Sequence, residues 1–218
     1  MITLHGFGKL FPAVIGETRD LRAQWALEET GLPYRVRGLD HAAGEHLGED
    51  FGRISPFRLL PVIEDNGFVV AESGAILLYL AETSGRLIPA DLQGRTRVAQ
   101  WCFAALATVE RPMMELQLID KFGEGEADPR RAGMVEAARR WLDGLERRLA
   151  DRPWIAGEAF TVADILLVSV LREIRRTDLL GDYPRVADLY ARASARPAWR
   201  RTLDLYAARL GVAVEDIA

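Results

Sequence analysis

The chain has 218 residues, 49% hydrophobic and 28% charged, with a formal net charge of −4; that balance belongs to a folded globular protein and excludes a disordered chain, which combines low hydrophobicity with high net charge. No apolar run reaches the roughly 18 residues of a membrane helix, and Met1 leads into Ile2-Thr3-Leu4 with no basic and apolar leader pattern, so the expected compartment is the cytosol. Residues 1–81 carry 7 basic and 11 acidic side chains and residues 82–218 carry 21 of each, so neither half offers the basic surface that nucleic-acid binding needs.

The first half alternates strands and helices. Met1–Phe7 opens with β-branched residues and reads as a short strand ended by Gly6 and Gly8. Residues 8–17, with Pro12 and Gly16, read as a loop. Asp20–Thr30 places Leu21, Ala23, Trp25, Ala26 and Leu27 on a helical stripe. Gly31 and Pro33 stop that helix. Tyr34–Leu39 alternates as a second strand. Residues 41–53 are polar and glycine-containing, a loop with one irregular helical turn. Leu60–Glu64 and Phe68–Ala71 read as strands joined by Asp65-Asn66-Gly67, a hairpin signal. Ser73–Thr83 reads as a helix that Ser73 caps. The order is βαβ, an irregular link, then ββα.

The second half shows no strand pattern. Residues 84–92 look like a linker bounded by Gly85 and Pro89. Gly94–Lys121 reads as one long helix with a kink at Pro112. Pro129–Ala150 forms another, with Val135, Ala138, Leu142, Leu145 and Leu149 at helical spacing. Thr161–Thr177, Arg185–Arg196 and Ala198–Leu210 follow as shorter helices. The expected division is an α/β domain over 1–83, a linker over 84–92 and an all-helical domain over 93–218.

Four segments carry a resemblance. They are Asp20–Tyr34, Leu60-Pro61-Val62, Glu72-Ser73-Gly74-Ala75-Ile76, and the run from Trp154 to Ile165. In this order and spacing the chain resembles the glutathione transferase family: a thioredoxin-like domain joined to a helical domain, over nearly the whole length. A bacterial, serine/threonine-type or atypical member fits best. Of the 28 basic residues only Lys9 and Lys121 are lysine, which fits GC-rich bacterial coding.

The resemblance implies a glutathione site. A helix start with unpaired N–H groups accepts a carboxylate. Ser73 adds a hydroxyl donor and Glu72 pairs with an ammonium, so the two suit a γ-glutamyl group. In the family the residue before a cis-proline, here Leu60 before Pro61, pairs its backbone with the cysteinyl part of glutathione. The family's usual Gly, Lys or Gln, then Val before that proline is replaced by Arg58-Leu59-Leu60; Arg58 is the substitute for the lost contact to the glycyl carboxylate.

Thr18 is the catalytic candidate. It lies four residues before Arg22, where serine-type members carry the hydroxyl that favours thiolate, the nucleophilic form. The simpler alternative is that Thr18 only caps the helix on the N–H of Asp20 or Leu21. A backbone N–H in the 14–19 loop is the alternative thiolate donor. No tyrosine precedes Tyr34 and no cysteine lies in the first half, so tyrosine-activated and cysteine-based classes do not fit. In the family the electrophile pocket lies between the first domain's loops and the first long helix; the candidates are Phe11, Ile15, Phe103, Ala107, Arg111 and Met114.

The remaining signals are structural. The single cysteine, Cys102, has no disulfide partner and reads as a core thiol beside Trp101 and Phe103. His5, His41 and His46 are too scattered for a zinc site, and His5 and His46 are structural or solvated. Thr161 and Asp164 make a capping box, and losing Asp164 costs on the order of 1 kcal/mol or more. The expected function is glutathione conjugation to a small hydrophobic electrophile, with no metal, no nucleic acid and no membrane, in a homodimer. A glutathione-dependent isomerase or peroxidase, or a non-catalytic binding protein with this fold, are the alternatives.

Overall fold

The computed structural model describes residues 1–217. Its residues group into two compact units, 1–86 together with 196–217, and 87–195. The grouping differs from the division expected at residues 84–92, because the last helix joins the first unit.

The first unit is built on a four-stranded sheet in the order β2-β1-β3-β4. Strand β1 (Ile2–Lys9) pairs in parallel with β2 (Tyr34–Asp40) and antiparallel with β3 (Val62–Asp65), which pairs antiparallel with β4 (Phe68–Ala71). Between β1 and β2 lies helix α1 (Asp20–Thr30), whose Gly31 closes the last turn at φ 71° with its N–H on Leu27 O. The expected loop over 41–53 instead holds a 3₁₀ turn (Glu45–Leu47) and a short helix, α2 (Glu49–Ile54). The β3–β4 hairpin turns through Asn66 at φ 51° and Gly67 at φ 87°, the two positive angles of a type I′ turn. Helix α3 (Ser73–Ser84) completes the βαβ-ββα order.

Alternation along β1 sorts the layers. Gly6 faces α1 so closely that a Cβ there would sit 2.7 Å from Asp20 Oδ2. By the strand's period of two, Ile2 and Leu4 share that face, where α1 packs on α3. On the other face α2 contributes Phe51 to a cluster with Leu39, Leu60 and Val62. His5 lies beside Phe51, ring centroids 6.2 Å apart; it is buried, and neither ring nitrogen has a hydrogen-bond partner among the described residues. Burial, then the neighbouring Arg37, hold its pKa below the ordinary histidine value.

The second unit is helical. Helix α4 (Leu92–Phe103) starts at Asp91, whose side chain accepts the Gly94 N–H at 2.8 Å. A π turn over Ala104–Val109 carries it into α5 (Glu110–Phe122), with the Glu110 N–H reaching back to Ala105 O. The irregularity expected at Pro112 therefore lies just before it; a proline has no N–H for the preceding turn and favours such a rearrangement upstream. Helix α6 (Arg131–Arg148) packs against α5, and α7 (Val162–Leu171) packs against α4, α5 and α8 (Pro184–Ser194). Nearly every residue of α7 is buried. Cys102 is buried too, and burial pushes its thiol up to about 12.

The Thr161–Asp164 capping box is present. Asp164 Oδ2 accepts the Thr161 N–H at 2.8 Å and the Thr161 hydroxyl at 2.9 Å, and Oδ1 accepts the Ile155 N–H at 2.8 Å. Burial outweighs these donors and pushes the carboxyl up to about 6.

The last helix, α9 (Pro197–Leu210), packs on α1 and β1 in the first unit. Among the described residues, no helix is long and apolar enough to cross a membrane.

Candidate functional site

Register places the site. Val62 is opposite both His5 of β1 and Ala71 of β4. The C-terminal ends of β1 and β4 and the N-terminal end of β3 therefore share one end of the sheet. Leu60-Pro61 leads into β3 and Glu72-Ser73 leads out of β4, so the two segments are neighbours there. The start of α1 is tied to the same end, because the Phe7 N–H donates to Asp20 Oδ2 at 3.1 Å.

Several polar groups at this end have no partner among the described residues. Leu60-Pro61 is a cis peptide, and neither Leu60 N–H nor Leu60 C=O makes a hydrogen bond among the described residues. Ser73 is buried at the first residue of α3. It does not cap that helix, contrary to expectation. The N-cap is Glu72, at φ 68° with no side-chain cap bond. The Ser73 hydroxyl and the exposed Glu72 carboxylate are both unpaired among the described residues. A non-glycine residue at positive φ costs energy and recurs at ligand sites. Most buried polar groups are satisfied; here the main-chain groups of Leu60 and the buried Ser73 hydroxyl are without partners among the described residues, beside the exposed Glu72 carboxylate.

Arg58 is exposed at φ 55°, its Nη1 donating to Leu47 O and its guanidinium lying against Gly52. His46 lies near it and stacks on His41 at 4.0 Å, with Phe7 edge-on to His41 at 5.2 Å. Burial, then His41, lower the His46 pKa. The two histidines thus form a stacked pair, an association that the sequence reading did not foresee.

Thr18 stands at the same sheet end, but its hydroxyl is already in use. It donates to Asp20 Oδ1 at 2.6 Å and lies 2.7 Å from the Tyr206 hydroxyl. It does not cap α1, whose N-cap is Arg19. Its carbonyl accepts the Leu21 N–H at 3.3 Å, and its own N–H has no partner among the described residues. Asp20 is fully buried and paired with Arg209, Nη2 to Oδ2 at 3.0 Å. Sequence reading missed Asp20, Tyr206 and Arg209. Asp20 carried a weak signal as the first acidic residue of α1; Tyr206 and Arg209 carried none.

The electrophile candidates are divided between the units. Phe11 is exposed and Ile15 half-buried on either side of a 3₁₀ turn in the first unit. Phe103, Ala107 and Arg111 are exposed along α4, the π turn and α5, with Met114 half-buried beyond them. Among the described residues, no group of three or more His, Cys, Asp or Glu side chains is arranged to hold a metal.

Comparison with known proteins agrees with this fold. Residues 8–82 match the N-terminal domain of glutathione S-transferase and residues 115–200 match its C-terminal domain. The chain is 29% identical to rat glutathione S-transferase theta-2 over 194 residues, covering 82% of this chain and 73% of that protein. It is 30% identical to the Escherichia coli disulfide-bond oxidoreductase YfcG over 186 residues, covering 81% and 86%. Among solved structures it resembles a Burkholderia graminis glutathione transferase with two glutathione molecules bound per subunit, at TM-score 0.81 and 31% identity over 93% of this chain and 87% of that one. With both domains matched, and the fold matched along nine-tenths of its length, the chain belongs to the glutathione S-transferase family.

Proposed function

We propose that this protein binds glutathione at the Leu60, Glu72 and Ser73 corner and directs its thiolate at a small hydrophobic electrophile. The observation that carries the reading is the set of unpartnered polar groups at one end of the sheet. The γ-glutamyl carboxylate takes the Ser73 hydroxyl and the first N–H groups of α3, and the ammonium takes Glu72. The cysteinyl main chain takes the N–H and C=O of Leu60 as an added strand edge, and Arg58 serves the glycyl carboxylate.

A thiolate needs a donor, and the Thr18 hydroxyl gives its only proton to Asp20. The Thr18 main-chain N–H, at the start of α1, is the donor this reading assigns; the helix dipole adds to it. The thiol proton leaves to solvent, the sulfur forms a bond to the electrophilic carbon, and that carbon's leaving group departs. Thr18 keeps a place in the site through its backbone. Phe11 and Ile15 offer apolar surface to the electrophile within the first unit.

A second reading is reduction of a disulfide by the same thiol. The similarity to YfcG favours it, and the absence of cysteine from residues 1–86 makes glutathione the sulfur source. Two glutathione molecules then become one glutathione disulfide as the substrate disulfide becomes two thiols. Assembly as a homodimer is part of the proposal, supported by Phe57 and Leu59, which are 77% and 59% exposed on one loop.

Calorimetric titration with reduced glutathione tests the core of the reading. Saturable binding with a micromolar to low-millimolar dissociation constant is expected. No heat and no thermal shift at millimolar glutathione would end it. Parallel assays with an aryl halide and a small disulfide then separate conjugation from reduction.

A further inference from the structure

The Thr18 hydroxyl belongs to a chain of protons whose direction is fixed. The Gly16 N–H donates to the Tyr206 oxygen at 3.3 Å. Thr18 donates to Asp20 Oδ1, so the 2.7 Å contact between the two hydroxyls must carry the Tyr206 proton toward Thr18. The Tyr206 proton therefore rests on the Thr18 oxygen and the Thr18 proton on the Asp20 carboxylate, both directed along the row toward Asp20.

Helix α9 holds that carboxylate from the other side. Besides its ion pair with Asp20, Arg209 donates from Nε to Phe7 O at 2.9 Å and from Nη1 to Gln24 Oε1 at 2.8 Å. Its guanidinium lies 5.1 Å from the Tyr206 ring. Tyr206 is fully buried, and burial, then the Asp20 charge, push its hydroxyl up to about 12, so it stays a donor. Gly16, at φ 83°, packs so tightly on Ile217 that an added Cβ would lie 3.0 Å from it. Residues 16–18 are thus clamped by a helix 188 residues further along the chain.

We propose that Tyr206 and Arg209 are positioning residues for the thiolate: by fixing the Thr18 proton on Asp20 they turn its hydroxyl into an acceptor and hold its main-chain N–H ready for sulfur. The inference rests on the glutathione reading above. A hydroxyl that only accepts favours the S–H form, so the thiolate must be held by the backbone donor, and the backbone is held by Tyr206.

The test is Tyr206→Phe, which keeps the buried ring and removes the hydroxyl. Amide exchange of residues 16–18 is expected to rise. The bound thiol, followed by thiolate ultraviolet absorbance against pH, is expected to titrate about half a unit or more higher. Turnover is expected to fall several-fold while the glutathione dissociation constant changes by less than about threefold. A part that is only structural would lower the melting temperature and leave the thiol titration in place, and an unmoved titration overturns the proposal. Were the Thr18 hydroxyl itself the donor, Thr18→Val would raise the thiol midpoint and Tyr206→Phe would not, which also overturns it. If the wild-type protein binds no glutathione, the functional reading fails separately. Amide exchange then decides the positioning claim, and unaltered exchange in Tyr206→Phe overturns it.

Discussion

Arg196 grips Glu29 with two hydrogen bonds, Nε to Oε1 at 2.5 Å and Nη2 to Oε2 at 2.8 Å. The Trp25 indole N–H also donates to Glu29 Oε1, at 3.2 Å, and the Trp25 ring lies 4.7 Å from that of Trp199. The carboxylate is buried and the guanidinium partly exposed, so this pair joins α1 to the start of α9 at a desolvated point. Glu29→Ala removes the acceptor that the Arg196 guanidinium and the Trp25 indole N–H share. It is expected to cost about 2 kcal/mol, below the fully buried case because Arg196 reaches water. Urea denaturation reads the loss as a lower midpoint, and an unchanged midpoint would show that the pair contributes nothing.

Ser73→Ala removes one donor from the α3 corner and is expected to weaken glutathione binding by about 1–3 kcal/mol, the cost of leaving a buried polar partner unmatched. Stability should hardly change, because the hydroxyl has no partner among the described residues to lose. Calorimetry and a melting curve together check this; equal affinity for both proteins would remove Ser73 from the site.

The pH response of Asp164 has a definite sign. Its carboxyl is pushed up to about 6 in the folded protein, above the value near 4 of an unfolded chain. Between those values the folded state holds more protons, so this group's contribution to stability grows as pH falls from about 6 to about 4. Asp164→Asn abolishes that titration and loses an acceptor for Thr161. The wild type should therefore gain on the variant by roughly 2 kcal/mol across the window. Denaturation midpoints of both proteins at several pH values measure the difference, and parallel curves would contradict it.

Cys102 is expected to be inert in the native protein. Burial keeps its thiol protonated in mildly alkaline solution, and only the thiolate attacks disulfide reagents. A thiol-reactive chromophore should register no cysteine in the folded protein and one after denaturation. Rapid native reaction would mean that α4 opens around it.

Much of the fold was legible because its signals are local. Asp20–Thr30 carries its own stop in Gly31, and Asn66-Gly67 can adopt the two positive angles that the hairpin needs. The capping box over Thr161–Asp164 is written in four consecutive residues. The α3 corner was legible, but the residue that caps the helix was not. Serine is the common capping residue, whereas the chain spends the cap on a strained Glu72 and leaves Ser73 free. The π turn was invisible, because Ala104–Val109 has the same apolar spacing as the helices around it. The Thr18 site was half legible. Its position followed from the family resemblance, but the direction of its proton depends on Tyr206 and Arg209, and no pattern in the 14–20 segment announces a partner so distant in sequence.

Because residues 196–217 complete the first unit while 87–195 form the second, the order of synthesis does not match the order of structure. A nascent chain that has emerged through residue 86 lacks the arginine that neutralises Asp20 and the tyrosine that orders Thr18. The middle unit is continuous and is complete in sequence once Ala195 is out. The first-made part of the polypeptide is therefore the last to be finished, and any message shortened before α9 would yield a chain whose Thr18–Asp20 segment has its residues but not the tyrosine and arginine that hold them.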